Sequence, residues 1–235
     1  MPWEPAWSRL IATSGDASIW LADLDAADAG ESALAILSED ERVRADRFVF
    51  DIHRRRFIAC RAWLRTRLAE RLGRPPASLR FEYGPVGKPS LFGGEPLRFN
   101  VSHSDRHALV AMAEGAEIGV DIERLRPLSD MDALAARVFS TAEQAALGRV
   151  PADRRIDAFF AGWTRKEAYI KARGEGIGFL GAIEVALSPG ETPRLIRVAG
   201  QPEELQRWSL EAFTPVPGCA AAVCLEGPGR HWNAL

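Results

Sequence analysis

The chain has 235 residues, a length typical of one large domain or of two halves of roughly 100 residues each. Hydrophobic residues make up 47% and charged residues 26%, and the formal net charge is −2, so the composition is that of a globular protein and does not indicate nucleic-acid binding. No segment approaches the roughly 20 apolar residues of a membrane span, and the first ten residues lack the apolar core of a secretory signal, which together predict a cytoplasmic protein.

The first part of the chain is predicted to combine helices and strands. The first 37 residues contain one strand pattern, at 18–22. Ser38, with Glu41 three residues later, forms a capping box and predicts the start of a helix. Helical spacing of apolar residues predicts a longer helix over 51–72, ended by Gly73. Strand patterns follow at 79–83, 97–101, 109–113 and 118–122.

The second part repeats this order. Ser140 and Glu143 form another capping box, and a helix is predicted over 153–173, ended by Gly174. Three strands are expected near 183–187, 208–213 and 220–225, and Cys219 and Cys224, in or beside the last of these runs, are interpreted as buried thiols. The sequence therefore predicts an α+β protein of two similar halves, 1–120 and 121–235, with a ligand cleft between them.

Two carboxylates lie close together in the strand pattern at 118–122 and just beyond it. In an extended strand, Ile118, Val120 and Ile122 would face one side, and Asp121 and Glu123 would face the other, roughly 6.5–7 Å apart. Two carboxylates this close repel each other unless a cation or a shared proton lies between them. A solvated outer face explains the same pattern, and this segment alone favours that simpler interpretation.

The helix predicted over 153–173 carries a third carboxylate. Glu167 lies in the middle of its apolar stripe, and Lys171 lies one turn later at the edge of that stripe. A routine Glu–Lys pair on a helix contributes only about 0.2–0.5 kcal/mol and does not explain a glutamate on the buried face. Buried carboxylates are usually paired or coordinate metals. The stripe consists of Ile156, Phe159, Phe160, Trp163 and Ile170.

Asp121, Glu123 and Glu167 together suggest one divalent-ion site. Ligation by oxygen alone suits Mg²⁺, with Mn²⁺ as an alternative, and the absence of thiol and imidazole groups from these segments argues against zinc.

Several other residues are candidates for binding phosphate. The segment 99–104 ends a strand pattern with small polar residues and with His103, which is either a phosphate donor or a structural histidine. Lys88 lies in a rigid loop, and Arg44 and Arg56 lie on basic helical segments. Each of these cations taken singly is typical of a solvated surface, but arginine matches phosphate geometry best.

Three blocks of the sequence together resemble a known family. F-N-V-S-H-S at 99–104, G-V-D-I-E at 119–123 and W-T-R-K-E-A-Y-I-K at 163–171 resemble, in order and spacing, the signature blocks of the 4′-phosphopantetheinyl transferases. The length and Trp163 are similar to the surfactin-synthetase activator type, whereas the short trimeric holo-acyl-carrier synthases have about half this length. The resemblance covers roughly residues 37–187.

The resemblance implies a pseudo-twofold monomer with coenzyme A as co-substrate in the cleft. Asp121, Glu123 and Glu167 would hold Mg²⁺ against the pyrophosphate, and Glu167 would act, directly or through water, as general base. Lys171 would stabilise or protonate the leaving phosphate. His103 would contact phosphate as a further catalytic group.

The family also implies a set of coenzyme A contacts. Ser102, His103 and Lys88 match phosphate-contacting positions, Arg44 matches a residue that holds the 3′-phosphate, and Arg56 lies in a similar basic helix. At Glu41 the surfactin type has a lysine, a departure that bears on 3′-phosphate binding.

The implied reaction is attack of a carrier-protein serine on the β-phosphate of coenzyme A, with release of 3′,5′-ADP, as used in secondary metabolite biosynthesis. The acyl or peptidyl carrier domain is expected to dock near Ile177, Phe179 and Leu180, although these residues would equally cap the core. Two alternative functions are a Mg²⁺-dependent phosphohydrolase and a non-enzymatic coenzyme A-binding or carrier-binding module.

Overall fold

The computed structural model describes residues 7–27 and 29–235, so the expectation for the first ten residues lies mostly outside the described part of the chain. Within that part, no helix is long and apolar enough to cross a membrane. The helices are α1 (Glu31–Ile36), α2 (Glu39–Ala45), α3 (Asp51–Leu72), α4 (Met131–Val138), α5 (Thr141–Arg149), α6 (Arg155–Arg173) and α7 (Glu204–Arg207). The strands are β1 (Ser8–Ser14), β2 (Ala17–Asp23), β3 (Phe81–Tyr83), β4 (Pro89–Leu91), β5 (Leu97–Ser104), β6 (His107–Glu114), β7 (Ile118–Arg124), β8 (Ile183–Val185), β9 (Leu195–Val198), β10 (Trp208–Phe213), β11 (Cys219–Glu226) and β12 (Asn233–Ala234).

Two antiparallel sheets and two long helices form the framework. A five-stranded sheet has the order β12-β1-β2-β6-β5, and a three-stranded sheet has the order β10-β11-β7. Alternate residues of β6 point to opposite faces, so that Val110 packs with α3 and Leu109 packs with the second sheet. Helix α6 covers the other face of the second sheet, where it meets Cys224 of β11. The layers are therefore helix, sheet, sheet and helix, which confirms the predicted α+β class.

The predicted faces of the strand at 118–122 are confirmed, and the structure decides between the two interpretations. Ile118, Val120 and Ile122 are fully buried in the core between the sheets. The opposite face of β7 is covered by α6, and Asp121 is buried there. Asp121 consequently does not lie on a solvated outer face, because a long helix packs over it, and Glu123 is half-buried.

In both halves, a capping-box glutamate of a short helix forms an ion pair with the following long helix, which supports the similarity of the halves. Both predicted capping boxes are present, at Ser38 and at Ser140. In each, the glutamate at the third helical position is buried and pairs with a cation of the following long helix. Glu41 of α2 lies 2.6 Å from the Arg65 Nε of α3, and Glu143 of α5 lies 2.6 Å from the Lys166 Nζ of α6.

The structure differs from the sequence prediction in several elements. The described residues up to 37 contain two strands and α1 instead of one strand, since β1 has an irregular burial pattern and a register shift that hide its alternation. The predicted boundary at 120/121 falls inside β7, which pairs along its length with β11, so the turn at 115–117 separates the halves better. Helix α4 and the short strands β4, β9 and β12 were also not predicted.

An apolar stripe on a helix predicts a solvent-exposed polar face beside it, but polar residues of α6 outside the stripe are also buried. Arg165 and Lys166 are buried like the stripe itself, because the strands cover one side of the helix and α4, α5 and the segment Ile177–Ala182 cover the other. Lys166 is accommodated by Glu143 and by the carbonyl oxygens of Val138, at 2.6 Å, and Leu180, at 3.1 Å.

The expectation that Cys219 and Cys224 are buried free thiols is confirmed.

Candidate active site

The two sheets are joined along one line of contact, called the seam here, between strands β5 and β7. The hydrogen bonds of the seam run between side chains and backbone groups instead of between two backbones. Strands β5 and β7 are the edges of their sheets, and alternate polar side chains of β5 accept hydrogen bonds from backbone N–H groups of β7. This use of side chains satisfies buried N–H groups that would otherwise be costly. The three bonds run from Val120 N to Asn100 Oδ1 (2.9 Å), from Ile122 N to Ser102 Oγ (3.4 Å) and from Arg124 N to Ser104 Oγ (3.1 Å).

Ser102 is part of this seam and does not point into an open phosphate site. Its hydroxyl donates to Asp121 Oδ1 at 2.8 Å and accepts from Ile122 N and from Lys171 Nζ, the latter at 3.1 Å. One donor and two acceptor positions are all that a hydroxyl has. The expected phosphate contact through the Ser102 hydroxyl is therefore not supported, and the residue instead positions Asp121 and Lys171. The polar alternation at 100, 102 and 104 was the available sequence signal for this role.

Gly119 brings α6 against β7 at the same level. A Cβ atom at this position would lie less than 3.0 Å from backbone atoms of Ala168 and Ala172. Only a residue without a side chain permits that approach. The close contact places the helical turn from Glu167 to Lys171 over the carboxylate face of β7.

Three of the predicted catalytic and metal-binding residues converge there. Lys171 Nζ lies 2.5 Å from Asp121 Oδ1 and 4.0 Å from Glu167 Oε2. Asp121 Oδ2 and Glu167 Oε1 are buried and have no hydrogen-bond partner among the described residues. Glu123 lies beside them and accepts a hydrogen bond of 2.9 Å from Ser104 Oγ.

Burial and mutual repulsion alter the titration of this cluster. Burial raises the pKa of Glu167 to about 7; Asp121 and Glu123 also raise it, and Lys171 opposes the change. Burial and the charge of Asp121 likewise raise the pKa of Glu123. Burial by itself lowers the pKa of Lys171, but Asp121, Glu167 and Glu123 outweigh it, and the net pKa is raised. The site thus holds an ammonium group beside a carboxyl that titrates near neutrality.

The carboxylates of this cluster are the expected ligands of Mg²⁺ or Mn²⁺. Among the described residues, no group of three or more His, Cys, Asp or Glu side chains is arranged to hold a metal ion. However, Asp121 and Glu167 each present a buried oxygen without a partner, and such groups are normally satisfied in proteins. Hard oxygen donors with incomplete protein ligation are what Mg²⁺ takes beside phosphates. Asp121 and Glu167 therefore offer two oxygen donors of the kind that such an ion takes.

A cleft of about 610 Å³ opens beside this cluster and contains several of the predicted phosphate ligands. Arg44, Arg56, His103 and Glu123 line it, together with Arg124. Arg44 stacks 5.3 Å from the Phe57 ring centroid and has no carboxylate within salt-bridge distance in the part of the chain described. The guanidinium of Arg44 is consequently available to an anion.

Arg56 lines the cleft but is held by carboxylates. Its Nε and Nη2 each donate to Asp25 at 2.7 Å, and its Nη1 donates to Asp105 at 2.7 Å. These ion pairs raise the pKa of Arg56. Its role in this arrangement is to connect α3 with the turn after β5.

His103 is exposed to solvent at the wall of the cleft. Desolvation by the surrounding protein lowers the pKa of His103, as do the positive charges of Lys171, Arg44 and Arg56. A neutral imidazole can donate one hydrogen bond to a phosphate oxygen and also accept a proton.

Lys88 does not reach the cleft, contrary to the prediction. Its ammonium lies 2.8 Å from Glu117 and donates to the carbonyl oxygens of Ala172, at 2.7 Å, and Ile118, at 3.5 Å. A lysine has three donors, so none remains for a phosphate. Lys88 instead connects its loop to the end of α6.

Glu41 does not line the cleft. Its carboxylate is buried between Arg61 and Arg65. Of the expected docking residues, Ile177 is exposed, Phe179 is half-buried with Arg173 stacked on it, and Leu180 is buried in the core and therefore inaccessible to a partner.

The sequence matches two family models, one in each half. Residues 27–115 match the model described as 4′-phosphopantetheinyl transferase, N-terminal, and residues 117–224 match that of the 4′-phosphopantetheinyl transferase superfamily. The turn between these matches is the turn that separates the two halves of the fold.

Curated relatives carry the same description. The chain is 40% identical over 238 residues to the 4′-phosphopantetheinyl transferase HetI of Nostoc sp., and the match covers 98% of each chain. It is 38% identical over 145 residues to a putative 4′-phosphopantetheinyl transferase of Synechocystis sp., which covers 61% of this chain and 59% of the relative.

One solved structure is also similar over part of the chain. It is a holo-(acyl-carrier-protein) synthase of Bacillus anthracis in complex with coenzyme A (3′,5′-ADP), at 30% identity, and the match covers 47% of this chain and 96% of that one with a TM-score of 0.38. A TM-score of this size does not by itself establish a shared fold.

Proposed function

Because the chain belongs to the 4′-phosphopantetheinyl transferase superfamily, we propose that the seam between its halves transfers the 4′-phosphopantetheine group of coenzyme A to a serine of an acyl or peptidyl carrier protein. The observation that carries this assignment is the cluster of Asp121, Glu167 and Lys171 beside a cationic cleft. Phosphoryl-group displacement needs charge neutralisation, alignment and a base more than covalent help. The cluster and the cleft supply groups of each kind.

Glu167 is the proposed general base. A base works best when its pKa lies near the operating pH, and burial raises the pKa of Glu167 to about 7. Its Oε1 atom has no partner in the described structure and is able to accept the proton of a carrier serine hydroxyl. A proton accepted there leaves the nucleophilic oxygen free to attack.

Lys171 and His103 are the proposed electrostatic groups. Lys171 keeps its charge because the surrounding carboxylates raise its pKa. Two of its three donors are engaged by Ser102 and Asp121, so one remains for a phosphate oxygen. His103 faces the cleft as a neutral donor. Arg44, which has no carboxylate partner among the described residues, is the proposed ligand of the 3′-phosphate.

Asp121, Glu123 and Glu167 are proposed to hold Mg²⁺, or Mn²⁺ in its place. A bound divalent ion would supply positive charge to neutralise the pyrophosphate and to orient it. The support for this ligand set is the pair of buried, unpartnered carboxylate oxygens. Ser102 then positions Asp121 from the neighbouring strand.

The chain is further proposed to be of the surfactin-synthetase activator type, acting as a cytoplasmic monomer in secondary metabolite biosynthesis. The presence of both similar halves in one chain supports this type, because a single chain then forms both walls of the cleft.

Intact-protein mass spectrometry tests the function. Apo carrier proteins are incubated with this protein, coenzyme A and MgCl₂, with and without EDTA. We expect a gain of one phosphopantetheine mass that is lost with EDTA. Coenzyme A binding without any mass gain would favour a binding module, and release of phosphopantetheine without a carrier would favour a phosphohydrolase.

A further inference from the structure

Arg165 is a buried cation that the transfer reaction does not use. It precedes Glu167 by two residues, and two helical residues are separated by roughly 200° around the helix axis, so the two side chains face different sides of α6. Arg165 is only 7% exposed. Its Nη1 donates to the carbonyl oxygen of Ala186, whereas its buried Nε has no partner.

No carboxylate within residues 7–27 and 29–235 lies at salt-bridge distance from Arg165. The negative charge of Glu191, beyond salt-bridge distance, acts on Arg165 and raises its pKa slightly against the effect of burial. Burial accordingly lowers the pKa of Arg165. Buried charges in proteins are normally paired, because an unpaired buried charge is costly. An anion is therefore the expected partner of this guanidinium.

The side chain lines a cavity of about 310 Å³ between α6, β10 and β11. The walls are about equally polar and apolar, and Leu187, Phe213 and Cys219 contribute to the apolar part. Arg154 and Asp157 also line the cavity; they are half-exposed and pair with each other at 3.0 Å. The net charge of the lining side chains is thus one positive charge, contributed by Arg165.

We propose that this cavity binds a small monocarboxylate whose carboxylate pairs with Arg165 and whose apolar body contacts the walls. A carboxylate matches the fork of guanidinium donors, and a single negative charge matches the single unpaired cation. A phosphate dianion fits less well, because Asp157 lines the same cavity and Glu191 lies nearby. The apolar part of the walls, which includes Leu187 and Phe213, can contact the hydrocarbon body of such a ligand.

The cavity is separate from the transfer site. None of its lining residues lines the cleft that contains Arg44 and His103. The proposal therefore does not depend on the proposed function, and its test does not use transferase activity.

Binding of octanoate to the full chain tests the proposal by titration calorimetry, with octanamide and inorganic phosphate as comparison ligands. We expect saturable binding of octanoate, with octanamide and phosphate each roughly ten-fold or more weaker, since the charge-assisted pair is lost or mismatched. Tighter binding of phosphate than of octanoate would overturn the ligand class. Absence of saturable octanoate binding would overturn the site.

Two variants locate the binding. Arg165→Met removes the charge at similar length and is expected to weaken octanoate binding roughly ten- to hundred-fold. Arg149→Met, at an exposed arginine of α5, is expected to leave binding unchanged. Binding that survives Arg165→Met would contradict the proposal. If that variant does not fold, the ¹⁵N resonance of the Arg165 Nε in the unmodified protein decides, and an unchanged resonance at saturating octanoate would contradict it.

Discussion

Glu167 has surroundings that a surface glutamate does not have. It is buried beside Lys171, with one carboxylate oxygen unpartnered, and it lies near two further carboxylates. The adjacent Lys171 is paired more closely with Asp121 than with Glu167, at 2.5 Å against 4.0 Å. The cation therefore neutralises Asp121 first and leaves Glu167 able to exchange a proton.

Replacement of Glu167 tests its role as base. Glu167→Gln keeps the shape of the side chain but cannot accept the proton, so we expect transfer to a carrier to fall by roughly 10²–10⁴-fold. The midpoint of urea unfolding should not decrease, because the variant removes a buried acidic group. Glu175→Gln, on a more exposed side chain beyond the end of α6, serves as the control and should keep full activity. Near-normal turnover of Glu167→Gln would rule out the assignment.

Replacement of Ser102 distinguishes a role in positioning Asp121 and Lys171 from a direct contact with phosphate. Ser102→Ala removes the hydroxyl that joins Asp121, Lys171 and the N–H of Ile122, and should lower the free energy of unfolding by about 1–3 kcal/mol. We expect kcat to fall while the Kd for coenzyme A, measured by calorimetry, stays unchanged. Ser90→Ala, whose hydroxyl makes one bond of 3.5 Å to Glu82, is the control. Weaker coenzyme A binding with unchanged stability would favour the direct contact.

At the scale of elements, the approach of α6 to β7 depends on Gly119. Its neighbours on the helix are backbone atoms, which cannot rotate away as a side-chain end can. The helix must therefore move if any side chain is introduced, and Glu167 and Lys171 move with it.

A matched pair of glycine variants measures this constraint. Gly119→Ala should lower the free energy of unfolding by about 1–3 kcal/mol or more and abolish transfer. Gly148→Ala lies in the exposed part of α5 with nothing within 4 Å of the added Cβ, so it should be neutral or stabilise by about 0.5–1 kcal/mol. Thermal unfolding monitored by circular dichroism compares the two. A tolerated Gly119→Ala would mean that the two elements are not in rigid contact.

The junction of α2 and α3 makes stability depend on pH. Burial raises the pKa of Glu41, but Arg61 and Arg65 outweigh this effect and hold it below its ordinary value of 4.5. A depressed pKa contributes stability that is fully present above the unfolded value and is lost as the pH falls through the folded value.

Urea unfolding at several pH values measures that contribution. Glu41→Gln should destabilise the protein at pH 7, where Arg61 and Arg65 would remain buried without a carboxylate, and the difference from the unmodified protein should shrink below about pH 4. Glu39→Gln, exposed on the same helix, is the control. A difference that is constant with pH would contradict the ion-pair explanation.

At the scale of the whole molecule, one line of side-chain hydrogen bonds joins the two halves at the active site. Asn100, Ser102 and Ser104 connect the sheets directly beneath the cleft. The seam therefore keeps the two walls of the cleft in a fixed relation. The two sheets also share a hydrophobic core. This core supplies contact area between the sheets but does not determine how the edge strands β5 and β7 are aligned.

Removal of one hydrogen bond in the seam tests how much the seam contributes to the free energy of unfolding. Asn100→Ala leaves the buried N–H of Val120 without an acceptor, and we expect a loss of about 1–3 kcal/mol. The denaturant slope should also fall if the halves then unfold separately. Asn233→Ala, on an exposed residue of β12, should change neither quantity. An unchanged unfolding midpoint for Asn100→Ala would show that the core alone holds the halves together.

The sequence by itself determined the local and periodic features of this protein. Both capping boxes, the ends of α3 and α6, and the alternation that points Val120 inward and Asp121 to the opposite face follow from residues close together in the chain. The family, too, was identified from three short blocks. Features of this kind depend on short-range geometry, which the chain specifies directly.

Only the tertiary structure decided which polar groups remain available to a ligand. Lys88 and Ser102 have all their donors engaged by residues distant in sequence, whereas Arg44 has no carboxylate partner in the described chain. The covering of β7 by α6, which turns Asp121 from a surface residue into a buried one, likewise depends on long-range packing. A hydrogen-bonding group has a fixed number of partners, and which partners fill it is settled when distant segments meet.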